Sequence, residues 1–294
     1  LQSIEIINTS IKSLPEDLMI KNLYKISIID SKLTEFPKCL SNHKKLEMLD
    51  LVGNEISQIP EDAFSNWEKM SQLRIQRTKI SSLPANTFNA LYRVYTFDFR
   101  WNENLSSLPT EVPQSRTKFQ GLLLDGCAFT EIPEVVGNIK ELRTLSMADN
   151  KLTSIDFSKL SIGKNYLDQL FFDGNKLTSF GKLESKNIIL LSLNNCGLTT
   201  IPDLSGLEKL RYFSAADNNT KVESNTFVAN DSLSYIDLSN NKSLNSVPAN
   251  FGVKTETKVY GSETVNDVPV SLKALNLDGC SSLKWTVPGS WCCI

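Results

Sequence analysis

The sequence predicts a strand-dominated repeat solenoid of the α/β type, a curved horseshoe with a parallel β-sheet on its concave face and irregular or 3-10 return segments on its convex face. Three observations carry that expectation. The pattern L-x-x-L-x-L-x-x-(N/C/T/S)-x-L-x-x-L-P can be laid down from residues 1, 23, 46, 70, 94, 119, 142, 167, 188, 210, 233, 254 and 272, at intervals of 18 to 25 residues. Ten of the eleven prolines follow the apolar residue that closes the pattern, Pro113 being the exception. The ninth position is always a small residue able to donate a hydrogen bond: Thr9, Ser31, Asn54, Thr78, Asn102, Cys127, Asn150, Asn175, Cys196, Asn218, Asn241, Ser262 and Cys280.

Each part of the repeat has a physical reason. The L-x-L step puts two apolar side chains on one face of a short strand, and stacking successive turns pairs those strands in parallel at about 4.8 Å. One turn cannot bury its own leucines, so neighbouring turns must cover them. In the leucine-rich-repeat family, which this pattern resembles, the ninth residue turns inward and bonds to the main chain of adjacent turns. The chain then returns in segments such as "IPEDAFSNW" from Ile59 and "LPANTFNAL" from Leu83. Phe64, Phe88, Phe227 and Phe251, with Val112 and Leu160 at the same offset elsewhere, form a second apolar column in those segments. Residues 1–294 therefore read as one solenoid of about 13 turns, the turn at Lys254 being degenerate and the last one short. The 39 Leu and 26 Asn of the composition follow, because Leu fills the apolar columns and Asn supplies six of the ninth positions.

On these residues the chain resembles the leucine-rich-repeat family along essentially its whole length. The phenylalanine in the return segment and the repeat length are similar to the extracellular-type repeats of receptor ectodomains and matrix proteins. That resemblance implies an extracellular or cell-surface location, a protein partner on the concave face, and a C-terminal cap opening near residues 285–294. Cys292 and Cys293 would supply its disulfide, though the further cysteines of such a cap are absent; bonding to a partner or to residues beyond Ile294 is the alternative. Cys39 has no evident partner, and Cys127, Cys196 and Cys280 read as small inward-facing residues.

Composition excludes several other functions. Thirty-one Lys and Arg against 33 Asp and Glu give a net charge of −2, so no general field attracts nucleic acid or anionic lipid. No run of apolar residues reaches the 18 or so of a membrane-spanning helix. His43 is the single histidine, which removes multi-histidine metal centres and most triads. Nucleophile-elbow, phosphate-loop, zinc-protease and dinucleotide-binding motifs are absent. No enzyme activity, cofactor or metal is expected.

Positions three, five, seven and eight of each turn point out from the concave sheet, the face on which solenoids commonly bind. In the fourth and fifth turns they present Arg74, Gln76, Arg77, Arg100 and Trp101, with Asp50 and Asp98 close enough to neutralise them. Further along they present Phe171, Leu190, Tyr212, Tyr235 and Tyr260; Leu190, Tyr212 and Tyr235 share one column and should stack. Both groups are candidate partner-binding residues. The acidic rim of Asp125, Asp149, Asp173, Asp217 and Asp278 admits a calcium row, but turn chemistry explains it more simply. Asn104, Asn230 and Asn8 are candidate glycosylation sites, whereas the sequons at Asn218 and Asn241 fall in the inward column. Two other readings stand beside extracellular recognition. One is a structural subunit of a fibre, wall or matrix, because the chain opens at Leu1 on a full turn and ends on a short one, leaving apolar ends for flanking sequence or another subunit to cover. The other is a cytoplasmic scaffold or signalling adaptor.

Overall fold

A computed structural model describes residues 1–112, 118–160, 166–181, 183–222, 226–227, 232–247, 255–260, 263–269 and 272–284. Packing divides the chain into two compact units, Leu1–Lys151 with Lys164–Tyr166, and Leu152–Gly163 with Leu167–Ile294. Each is a solenoid of stacked coils around parallel strands.

In the first unit the strands are β1 (Ser3–Ile7), β2 (Lys25–Ile29), β3 (Met48–Val52), β4 (Gln72–Gln76), β5 (Thr96–Asp98), β6 (Gly121–Leu123) and β7 (Thr144–Ser146), each paired in parallel with the next. Register follows the repeat. Ile4, Ile26, Leu49, Leu73, Phe97, Leu122 and Leu145, all at position four, lie side by side. All of these but Ile4 are buried. A slip of one residue would turn this column out to solvent, so burial pins the register. The return segments contain 3-10 turns at Lys38–Asn42 and Glu134–Asn138 and a four-residue helix at Thr87–Ala90. Phe64, Phe88 and Val112 fill the core behind the sheet, and the Phe88 ring lies 5.1 Å from Phe97 and 5.3 Å from Phe119.

In the second unit β9 (Gln169–Phe171), β11 (Leu190–Ser192), β12 (Tyr212–Ser214), β13 (Tyr235–Asp237) and β16 (Ala274–Asn276) pair in that order, again all parallel. Their position-four column is Leu170, Leu191, Phe213, Ile236 and Leu275. The short strands β8 (Ser154–Ile155) and β10 (Ser179–Phe180) pair with each other in the return segments, which also hold a 3-10 turn at Phe157–Leu160. Leu160 and Phe227 are buried there. Phe251 lies outside the described residues.

The turn expected at Lys254 is a different structure. Residues β14 (Thr255–Tyr260) and β15 (Glu263–Pro269) form an antiparallel hairpin, and β13 pairs directly with β16 across it. The pattern positions there are Lys254, Thr257 and Val259 in place of leucines, so this segment has too little apolar surface to join the stack. A Gly-Ser step between two alternating segments favours a hairpin. Tyr260 consequently sits at the end of β14, opposite Glu263, and is not part of the parallel sheet's open face.

Two columns position everything on that face. The inward ninth column makes the expected bonds: Asn54 Nδ2 donates to the Ile28 carbonyl of the preceding turn at 2.8 Å while its Oδ1 accepts the Leu33 N–H at 3.2 Å. Asn102, Asn150, Asn218 and Asn241 repeat this two-sided arrangement, and the Cys127 thiol donates to the Phe99 carbonyl at 3.4 Å. The eighth column is left-handed throughout: Asn8, Asp30, Gly53, Arg77, Trp101, Gly126, Asp149, Gly174, Asn195, Asp217, Asn240 and Gly279 all have φ between +48° and +70°. Glycine, asparagine and aspartate tolerate that conformation best, which explains most of the column.

Candidate recognition surface

The two sequence-predicted groups occupy different units. In the first unit, the strand register places Asp50 beside Arg74 and Arg74 beside Asp98. The arginines are spoken for. Arg74 Nε donates to Asp50 at 2.9 Å, Arg77 to Asp30 at 2.8 Å, and Arg100 makes two bonds of 2.9 Å to Asp98. Asp98 is buried and also accepts from Gln76 at 2.5 Å. Pairing with Asp98 raises the Arg100 pKa, so that guanidinium stays charged. The group is thus a neutral lattice of ion pairs, in which the exposed Arg77–Asp30 pair contributes about 0–1 kcal/mol and the Arg100–Asp98 pair is partly buried. Beside it Lys25, Asp50, Arg74, Tyr95 and Asp98 line a polar hollow of about 550 Å³.

Two side chains in this group carry backbone strain. Arg77 (φ +50°) and Trp101 (φ +62°) hold the left-handed position that neighbouring turns give to Asn, Asp or Gly. For such residues that conformation costs roughly 1–2 kcal/mol. Trp101 is nonetheless 46% exposed. Glycines make room for both: a β-carbon at Gly126 would enter the Trp101 ring, and one at Gly53 would enter the Asp30 carboxylate that Arg77 reaches across the intervening turn.

In the second unit, Leu190, Tyr212 and Tyr235 stand in register at position three, with Phe171 one column over. The tyrosine rings stack face to face, 4.9 Å apart and 6° from parallel, and are 42% and 38% exposed. With Phe171, Leu190 and Asp237 they line a mostly apolar depression of about 330 Å³. Its floor is braced by a polar ladder. Asp173 Oδ1 accepts the Ser192 hydroxyl and the Asn194 N–H at 2.6 Å each, and Asn194 Oδ1 accepts the Ser214 hydroxyl at 2.6 Å and the Ala216 N–H at 2.7 Å.

The acidic rim is built the same way. In the first unit Asp125 Oδ1 accepts from the Ser146 hydroxyl and, at 2.9 Å, from the Ala148 N–H. Burial raises the Asp125 pKa, and those two hydrogen bonds and Arg100 oppose the rise. Asp149 and Asp217 hold left-handed eighth positions, as turn chemistry requires. His43 is also structural: its Nε2 accepts the Ile20 N–H at 3.1 Å, so Nδ1 is the donor to the Cys39 carbonyl. Asn104 and Asn8 are exposed; Asn230, Cys292 and Cys293, with the expected cap over 285–294, lie outside the described residues.

Residues 45–67 match the profile of the Leucine Rich Repeat family. The solved structure of a Leptospira interrogans leucine-rich-repeat protein superposes with a TM-score of 0.61 at 22% identity, covering 85% of this chain and 74% of that one. This chain has the leucine-rich-repeat fold. Among curated leucine-rich-repeat relatives, mouse keratocan is 25% identical over 226 residues, 76% of this chain and 60% of keratocan. Mouse podocan is 26% identical over 248 residues, 81% of this chain and 36% of podocan. The chain thus spans less than two thirds of the relatives it matches.

Within the leucine-rich-repeat framework, the register unites four of the five expected aromatic and apolar residues and leaves out Tyr260. Sequence reasoning missed Asp30, which partners Arg77 from two turns away, and the strain at Arg77 and Trp101. The signal for both was the eighth column: two large side chains in a file of Asn, Asp and Gly.

Proposed function

We propose that the chain is a non-catalytic protein-recognition module that binds its partner on the open face of the parallel sheet. The stacked Tyr212–Tyr235 pair carries the reading. Two tyrosines about two-fifths exposed, continuous with Leu190 and Phe171 over an apolar depression, form the kind of surface that contact with a partner stabilises. The strained, half-exposed Trp101 supports a second contact region in the first unit, because backbone strain at an exposed aromatic side chain is a feature that ligand sites retain.

We place the protein outside the cell or at its surface. The extracellular-type repeat, the similarity to the extracellular keratocan and podocan, and the exposed sequon at Asn104 support that location. Intact mass of material from its source tests it: glycan at Asn104 is expected, and an unmodified chain argues for the cytoplasmic alternative.

Affinity capture from source extract followed by mass spectrometry tests recognition. Tyr212→Ser with Tyr235→Ser, or Arg77→Glu with Trp101→Ala, should lose the partner that the unaltered chain retains while keeping its circular dichroism. Equal capture by both double variants refutes open-face binding.

A further inference from the structure

The charge on the open face differs between the units. In the first, positions three, five, seven and eight carry four cations, and every one is paired: Lys25 with Glu5, Arg74 with Asp50, Arg77 with Asp30 and Arg100 with Asp98. In the second unit, the same positions of its five strands carry Asp173, Asp217, Asp237 and Asp278 and no Lys or Arg. Among the described residues none of these four aspartates is in an ion pair. Their partners are neutral: Asp173 accepts from Ser192 and Asn194, Asp217 from Asn240 at 2.9 Å, and Asp237 from the Ser239 N–H at 2.9 Å and Asn276 at 3.3 Å.

The carboxylates and the aromatic depression are adjoining parts of one surface. Tyr212, Tyr235 and Leu190 occupy position three, at the start of each strand, and the carboxylates occupy positions five, seven and eight, toward its end. Asp237 belongs to both, lining the depression and lying two residues along the strand from Tyr235. Position two, one residue before the tyrosine column, carries Asp168, Arg211 and Lys273, whereas positions five to eight carry only the aspartates as charged residues. An acidic row beside exposed π-faces complements a ligand that presents cations and apolar groups together. Guanidinium and ammonium groups pair with carboxylates and also lie favourably over tyrosine rings, and their aliphatic stems cover apolar surface.

We propose that the open face of the second unit binds a basic segment of a protein partner, an extended peptide whose Lys or Arg side chains meet Asp217 and Asp237 while an interleaved apolar side chain rests against Tyr212, Tyr235 and Leu190. This rests on the recognition reading above and names the chemistry of the partner.

Three labelled nonapeptides of leucine alternating with arginine, glutamine or glutamate test it by fluorescence anisotropy on the whole chain. The arginine probe should bind at least about tenfold more tightly than the glutamine probe and weaken as salt rises to about 0.5 M. Asp217→Asn with Asp237→Asn should weaken the arginine probe about fivefold and leave the glutamine probe unchanged. Tyr212→Ser with Tyr235→Ser should weaken both probes, by about thirtyfold for the arginine one. Glu103→Gln with Glu208→Gln removes the same formal charge away from the face and should change neither. Equal binding of the three probes, or equal losses in the aspartate and glutamate pairs, overturns the proposal. The two asparagine substitutions are nearly isosteric, so the test survives even if the tyrosine variant fails to fold. If capture of the native partner needs the tyrosines but not the aspartates, recognition stands and the basic ligand is refuted; if it needs neither, both fail.

Discussion

Replacing Asn218 with alanine tests the idea that the ninth column holds the coils together by pairing buried backbone. The Asn218 Oδ1 accepts the Cys196 N–H at 2.9 Å and the Leu198 N–H at 3.0 Å, and Nδ2 donates to the carbonyls of Leu193, Ala215 and Ala216 at 2.9–3.0 Å. Two of those carbonyls keep other donors, because Ala215 also accepts from Asn241 and Ala216 from the Asn195 N–H. Alanine therefore strands three groups: two N–H donors and the Leu193 carbonyl. At about 1–3 kcal/mol for each buried unpaired group, and with the cost of burying the amide itself removed, the loss is roughly 3–5 kcal/mol. Asn218→Cys should fall between alanine and the native residue. Its thiol can donate to Leu193 as Cys196 donates to the Phe172 carbonyl at 3.3 Å, leaving only the two N–H groups unpaired. Urea unfolding followed by circular dichroism ranks the three proteins. Hydrogen exchange locates the damage, which should concentrate at the Cys196 and Leu198 amides because each coil depends chiefly on its neighbours. An alanine variant within about 1 kcal/mol of the native protein, with both amides still protected, refutes the reasoning. The same burial accounts for the unsuitability of the Asn218 sequon, since a glycosylated amide could make none of these bonds as placed.

Gly53→Ala puts a side chain at φ +66° and against Asp30, so about 1–2 kcal/mol of strain and the loss of the Arg77–Asp30 pair should lower the melting temperature by several degrees; an unchanged midpoint contradicts the steric account. Burial pushes the Cys127 thiol up to about 12, against about 8.5 in an unfolded chain. Its contribution to stability is complete below the unfolded value and is lost as pH rises from there toward 12. A thiol reagent at about pH 8 should accordingly modify Cys127 only after denaturation, and rapid labelling of the folded protein disproves its burial.

The spacing of leucines was enough to specify coils, strand positions and the direction of every sheet side chain, because a period near 23 residues leaves the leucines no other way to be buried than by stacking. It failed at Lys254, where Lys254 and Thr257 stand at positions that leucines fill elsewhere and an antiparallel hairpin forms in place of a coil. Leu190, Tyr212 and Tyr235 could be assigned to one column from their equivalent positions alone, and the register confirms it. That Arg77 reaches Asp30 over Gly53, that Trp101 lies over Gly126, and that among the described residues none of Asp173, Asp217, Asp237 and Asp278 is in an ion pair are consequences of tertiary structure. The periodic pattern determined what is buried in the stacked coils, since burial there depends on the repeat, and the one turn that departs from the pattern left the stack. Which exposed groups meet was decided only by the folded chain, because those contacts join residues one or two turns apart through side-chain length, backbone φ and the space a glycine leaves, none of which the repeat specifies.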